Sequence, residues 1–158
     1  DIHNGVYQWS ATVPDLVETS NNVARITLSN GVLEIACLCR SAVEVAKMDL
    51  AQQIKAGFDP AVYAVTFSGD YPGWAPNTSS QLLKTASGLY ESMFQETPRV
   101  VACHAGLECG LLGAHYPAMD MVSFGPNIRG AHSPDEKVSV VSVQKFWKYL
   151  LQLLKSVS

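Results

Sequence analysis

A chain of 158 residues with 47% hydrophobic content holds enough apolar material for one ordinary domain or two small ones, which excludes a disordered polypeptide. Its formal net charge of -3, without a basic stripe interleaved with aromatics, argues against nucleic-acid binding, and no apolar run approaches membrane-spanning length. Residues 1–20 are rich in turn formers (Asn4-Gly5, Pro14-Asp15, Thr19-Ser20-Asn21-Asn22), and an edge strand is expected over 7–13. Residues 23–29 alternate, with Ala24, Ile26 and Leu28 on one face. Asn30-Gly31 is the strongest short hairpin signal, and 32–40 reads as the returning strand, with Leu33, Ile35, Cys37 and Cys39 on its more apolar face. Ser41 followed by Glu44 reads as a capping box. The helix after it places Val43, Ala46, Leu50 and Ile54 inward and Lys47, Asp49, Gln52 and Lys55 outward, and Gly57 ends it. Another strand is expected over 61–68, so 23–68 reads as part of a small α+β sandwich.

Residues 69–78 form a Gly/Pro-rich connector. Beyond it the pattern predicts a helix over 79–95, with Leu82, Leu83, Ala86, Leu89, Tyr90 and Met93 on its apolar side. Unalternating apolar runs at 99–103 and 120–124 fit strands buried on both faces. A short helix starts within 106–112. Ser142 is expected to cap a final helix with Val143, Phe146, Trp147, Leu150, Leu151, Leu154 and Val157 inward. Helix–strand–helix–strand–helix is the grammar of an α/β sheet, and the whole chain is read as α/β. The four cysteines, Cys37, Cys39, Cys103 and Cys109, include no CxxC pair, and Cys37-Leu38-Cys39 lies in an alternating strand where it cannot close a disulfide. They read as reduced thiols of a cytoplasmic protein.

Three segments carry the chemistry. In Gly125-Pro126-Asn127-Ile128-Arg129-Gly130-Ala131-His132-Ser133-Pro134-Asp135-Glu136, a histidine sits in a loop with two carboxylates just after it. Histidine is the commonest metal ligand, but no second histidine lies at ligand spacing and zinc needs three or four protein ligands. Spacing alone therefore favours an ordinary loop histidine. The second segment is His104-Ala105-Gly106-Leu107-Glu108-Cys109-Gly110, where glycine permits close backbone approach. The third is Gly69-Asp70-Tyr71-Pro72-Gly73-Trp74, whose aromatics read as hinge packing. Arg40, at a strand end, carries a planar fork suited to a carboxylate, although position alone marks it as a surface arginine. His3 and His115 have no motif around them.

In this order the three segments resemble the C-terminal part of the aminoacyl-histidine (Xaa-His) dipeptidases, of the zinc aminopeptidase/carboxypeptidase superfamily. The resemblance covers essentially the whole chain, and the family polypeptide is far longer. The start at Asp1, without an initiator Met or signal peptide, fits a processed or trimmed chain. The resemblance implies two portions: residues 1–70 from the lid and dimerisation domain, and 71–158 from the end of the metallopeptidase catalytic domain. It implies that His132 holds one of two zinc ions, that Arg40 binds the substrate's C-terminal carboxylate, and that the Gly106 loop lines the pocket. Asp135 and Glu136 then structure the loop and are not ligands. The family's His-x-Asp segment, Glu-Glu or Glu-Asp pair and further Asp have no counterpart here. The sequence therefore supplies no catalytic base and at most one partial metal site. The expected parent is a cytoplasmic, homodimeric zinc enzyme that hydrolyses dipeptides with C-terminal histidine, and the chain alone is expected to be inactive. Two other classes remain open: a dimerisation or binding module, and another peptidase or deacylase of the superfamily.

Overall fold

The computed structural model describes residues 2–58, 63–104 and 106–157. It is a mixed α/β chain in the order β1 (Gly5–Trp9), β2 (Val17–Ser29), β3 (Val32–Ser41), α1 (Glu44–Phe58), α2 (Gln81–Phe94), α3 (Glu108–His115), β4 (Ile128–Arg129), β5 (Lys137–Val138), α4 (Val140–Val157). Two compact units form. One comprises Asp1–Pro76 and Val101–Ala118; the other comprises Asn77–Val100 and Met119–Ser158. The break after Pro76 falls inside the 69–78 connector.

The first unit is built on an antiparallel sheet in the order β1-β2-β3. Asn30 (φ 49) and Gly31 (φ 77) supply the two positive φ values that a two-residue hairpin turn needs, so Ser29 faces Val32 and the ladder runs down to Thr19 opposite Ser41. β2 begins at Val17, earlier than the alternation predicted. The polar cluster there is satisfied inside the sheet: Thr19 and Ser41 share a buried hydroxyl contact of 2.9 Å, and Asn21 Nδ2 donates to the His3 carbonyl at 2.6 Å. β1 stops at Trp9, short of the expected 13, because the Ser10 hydroxyl accepts from the amides of Thr12 (3.3 Å) and Val13 (3.2 Å) and turns the chain. Ile26 and Leu28, which share one face of the strand, are 64% and 74% exposed at the hairpin tip, beyond the buried root of Leu16, Thr19, Asn21 and Ala42.

Helix α1 packs on β3, with Leu50 1% exposed. The capping box does not form. Ser41 Oγ accepts from the Val43 amide at 3.0 Å, and Glu44 turns to Gly73 and Lys47. Lys47, expected outward, is buried, because three oxygens wait for its ammonium on the inner side. Gly57 lies inside the helix, which runs to Phe58. Of the strand expected over 61–68, residues 61 and 62 lie outside the described residues, and 63–68 have no ladder partner among those described.

In the second unit, α2 and α4 pack around Ala86, Tyr149 and Leu153, with Leu89, Tyr90, Met93 and Phe94 against them. Ser80 caps α2 by accepting from the Leu83 amide at 2.9 Å, and Asp120 accepts from the Leu82 amide at 3.0 Å. Helix α4 begins at Val140, just after Ser139, and not at Ser142. Its buried residues are Tyr149 and Leu153, whereas Trp147, Leu151, Leu154 and Val157 are exposed. Tyr149 and Leu153, an i, i+4 pair, form the face that packs on α2 around Ala86, so the buried stripe is set by that neighbour and differs from the one the periodicity selected. Neither 99–103 nor 120–124 forms a ladder among the described residues, and Val100 and Val101 are exposed. A doubly buried strand needs paired neighbours, and no described strand pairs with these runs.

Candidate functional site

Arg40 is the penultimate residue of β3, opposite Ser20 of β2. Its side chain is exposed, and none of the ion pairs among the described residues involves it. Across the ladder, Ser20 Oγ lies 2.8 Å from His104 Nε2. Burial, and then the Arg40 charge, hold the His104 imidazole below the ordinary histidine range. His104 is therefore the neutral partner of a serine hydroxyl, beside a guanidinium free to meet an anion. A shallow depression of about 300 Å³ opens against Ser20, Asn21, Asn22 and His104.

Two residues beyond His104, Gly106 lies under the Tyr71 ring. A Cβ on it would stand 2.9 Å from Tyr71 Cδ1, so glycine is what allows this approach. Pro72 O likewise occupies the space beside Gly110, at the start of α3. Burial, followed by the charges of Glu108 and Cys109, raises the Tyr71 phenol. Burial and then Glu108 raise the Cys109 thiol, so it is protonated at neutral pH and unsuited to nucleophilic attack. All four cysteines are free.

His132 belongs to the second unit, in the loop between β4 and β5. The loop is tightly specified. His132 itself has φ 63, and its amide donates to Glu136 Oε2 at 2.9 Å. The Ser133 hydroxyl donates to the Gly130 carbonyl at 2.7 Å and accepts from the Asp135 amide at 3.3 Å. His132 is exposed, so its ring faces outward from a fixed backbone. Glu136 is committed to the backbone that presents it. No group of three or more His, Cys, Asp or Glu side chains among the described residues could hold a metal ion. One histidine meets a fraction of zinc's coordination, so these residues by themselves do not fit the metal.

Arg40, His104 and Gly106 thus share one unit and His132 lies in the other. Reading by residue type missed the Ser20–His104 contact, which joins positions 84 residues apart, and the burial of Lys47. The spacing of Glu44 and Lys47 and the lone Asp70 were the available signals for the latter.

The family model of peptidase family M20/M25/M40 matches residues 5–156, and the chain belongs to that family. It is 40% identical over 154 residues to the cytosol non-specific dipeptidase of Escherichia coli (strain K12), covering 98% of this chain and 32% of that protein. It also matches the crystal structure of an aminoacylhistidine dipeptidase from Vibrio alginolyticus, with a TM-score of 0.85, 40% identity, and the same shares of 98% and 32%. The chain thus spans about a third of the length of these relatives. No described helix is long and apolar enough to cross a membrane.

Proposed function

We propose that the chain is the C-terminal portion of a cytoplasmic metallodipeptidase that hydrolyses dipeptides, those with C-terminal histidine among them. The observation that carries this reading is the 40% identity, extending over 98% of the chain, to two enzymes named as dipeptidases. In this reading residues 1–70 belong to a lid and 71–158 to the catalytic domain. Arg40 clamps the substrate carboxylate, because its fork is exposed and has no carboxylate partner among the described residues. The open face of Gly106 lines the pocket. His132 contributes one ligand to a zinc site whose other ligands lie outside these residues. The exposed apolar hairpin tip of Ile26, Leu28, Val32 and Leu33 supports a homodimer formed through the lid.

The test is histidine release from a Xaa-His dipeptide. The 158-residue chain with added zinc should give none, and a full-length protein carrying this segment should turn over until a chelator removes its metal. Turnover by the short chain, surviving chelation and repurification, sinks the reading.

A further inference from the structure

We propose that Lys47 is a positioning residue for the dipeptide pocket, holding residues 70–73 as a wedge between the Arg40 end of β3 and the Gly106 loop. The inference rests on the reading of Arg40 and Gly106 as substrate contacts. Lys47 is 6% exposed, and its ammonium has three hydrogens to place. Three acceptors receive them: Asp70 Oδ1 at 2.6 Å, the Tyr71 carbonyl at 2.8 Å and Glu44 Oε2 at 3.0 Å. The same Glu44 oxygen accepts from the Gly73 amide at 3.2 Å. Both ends of the segment are therefore tied to the first turn of α1.

The wedge has no slack on either side. A Cβ on Gly73 would lie 2.6 Å from the Ser41 carbonyl oxygen, and Ser41 follows Arg40 directly. On the opposite side the Tyr71 ring covers Gly106 and Pro72 O meets Gly110. Packed interiors transmit displacement, so loosening Asp70 or Lys47 shifts the glycine loop relative to the strand end. Neither Lys47 nor Asp70 needs to touch substrate for this.

The experiment has a structural arm and a kinetic arm. In the 158-residue chain, Lys47→Met and Asp70→Ala should move the amide resonances of Gly106 and Gly110 and leave those of Asn30 and Gly31 in place. Asp70→Asn keeps an acceptor oxygen and should move them less. Asp70 is exposed, so its variants fold even if Lys47→Met does not. In the full-length dipeptidase carrying this segment, Asp70→Ala should raise KM more than it lowers kcat, with Asp70→Asn partly restoring it. Unmoved glycine resonances in Asp70→Ala overturn the inference whatever the enzyme does. Moved resonances with unchanged KM, in an enzyme where Arg40→Lys does raise KM, overturn the positioning role and leave the pocket standing. A kinetically silent Arg40→Lys removes the pocket, and the inference falls with it.

Discussion

The guanidinium of Arg40 acts in two separable ways, by charge and by shape. Arg40→Lys keeps the charge and loses the two-point fork. Losing one charge-assisted contact costs about 1.5–3 kcal/mol, so kcat/KM of the full-length enzyme should fall by about ten- to a hundred-fold with the fold intact. Unchanged kinetics would remove Arg40 from the pocket. The charge alone is read by His104. Burial and Arg40 both favour its neutral form, so its folded pKa is depressed. The unfolded chain then binds the proton first as pH falls. The stability this group contributes is intact above the unfolded value of ~6.5 and is lost as pH drops from there toward the folded pKa. An NMR titration of His104 should show a midpoint below ~6.5. Arg40→Met should raise it part of the way, since burial remains, while Arg40→Lys should leave it nearly unchanged. A midpoint that ignores Arg40→Met would mean that the two side chains do not sense each other.

Elements whose signals are local were legible in the residues. The Asn30-Gly31 hairpin, the helix expected over 79–95 and the α/β class followed from turn chemistry and periodicity. Elements that depend on what lies across from them were not. The runs at 99–103 and 120–124 have strand composition, yet a ladder needs a second strand that no local pattern provides. Lys47 looked like an outward residue because helical periodicity is blind to Asp70, 23 residues away, which reaches it from another segment. The site shows the same division. Arg40, Gly106 and His132 became candidates through the family resemblance, whereas Ser20 joined His104 only through the fold. Helix α4 shows the same dependence on a neighbour. Tyr149 faces α2, and its hydroxyl donates to the Ala86 carbonyl at 2.7 Å. Tyr149→Phe keeps the ring contacts with Tyr90 and Phe124 and loses that bond. It should lower unfolding free energy by about 0.5–1.5 kcal/mol in a denaturant titration. A larger loss would mean that the ring packing had been disturbed as well.

At the scale of the molecule, area decides what the chain does in solution. It exposes 11447 Å². A folded monomer of 17.1 kDa exposes roughly 7,800 Å², and two separate folded bodies of half that mass would together expose roughly 9,400 Å². The excess therefore does not depend on how the two units are arranged. Much of it is apolar. In the first unit Ile26, Leu28, Val32 and Leu33 are each more than half exposed at the hairpin tip, and in the second Val140, Trp147, Leu154 and Val157 are each more than half exposed along one helix. Among the described residues the outer edge of β3 also has no strand partner in its sheet, leaving backbone donors and acceptors open to pairing. Apolar area of this size seeks cover, and an open edge offers a template for it. The isolated chain should associate, with a mean mass by light scattering that rises with concentration. Ile26→Asp with Leu28→Asp should reduce that rise, because burying a charge at the contact is costly and the tip contributes nothing to the core in the monomer. A mass of one chain at every concentration would mean that these faces are tolerated in water, and the homodimer proposed through the hairpin would lose its physical basis.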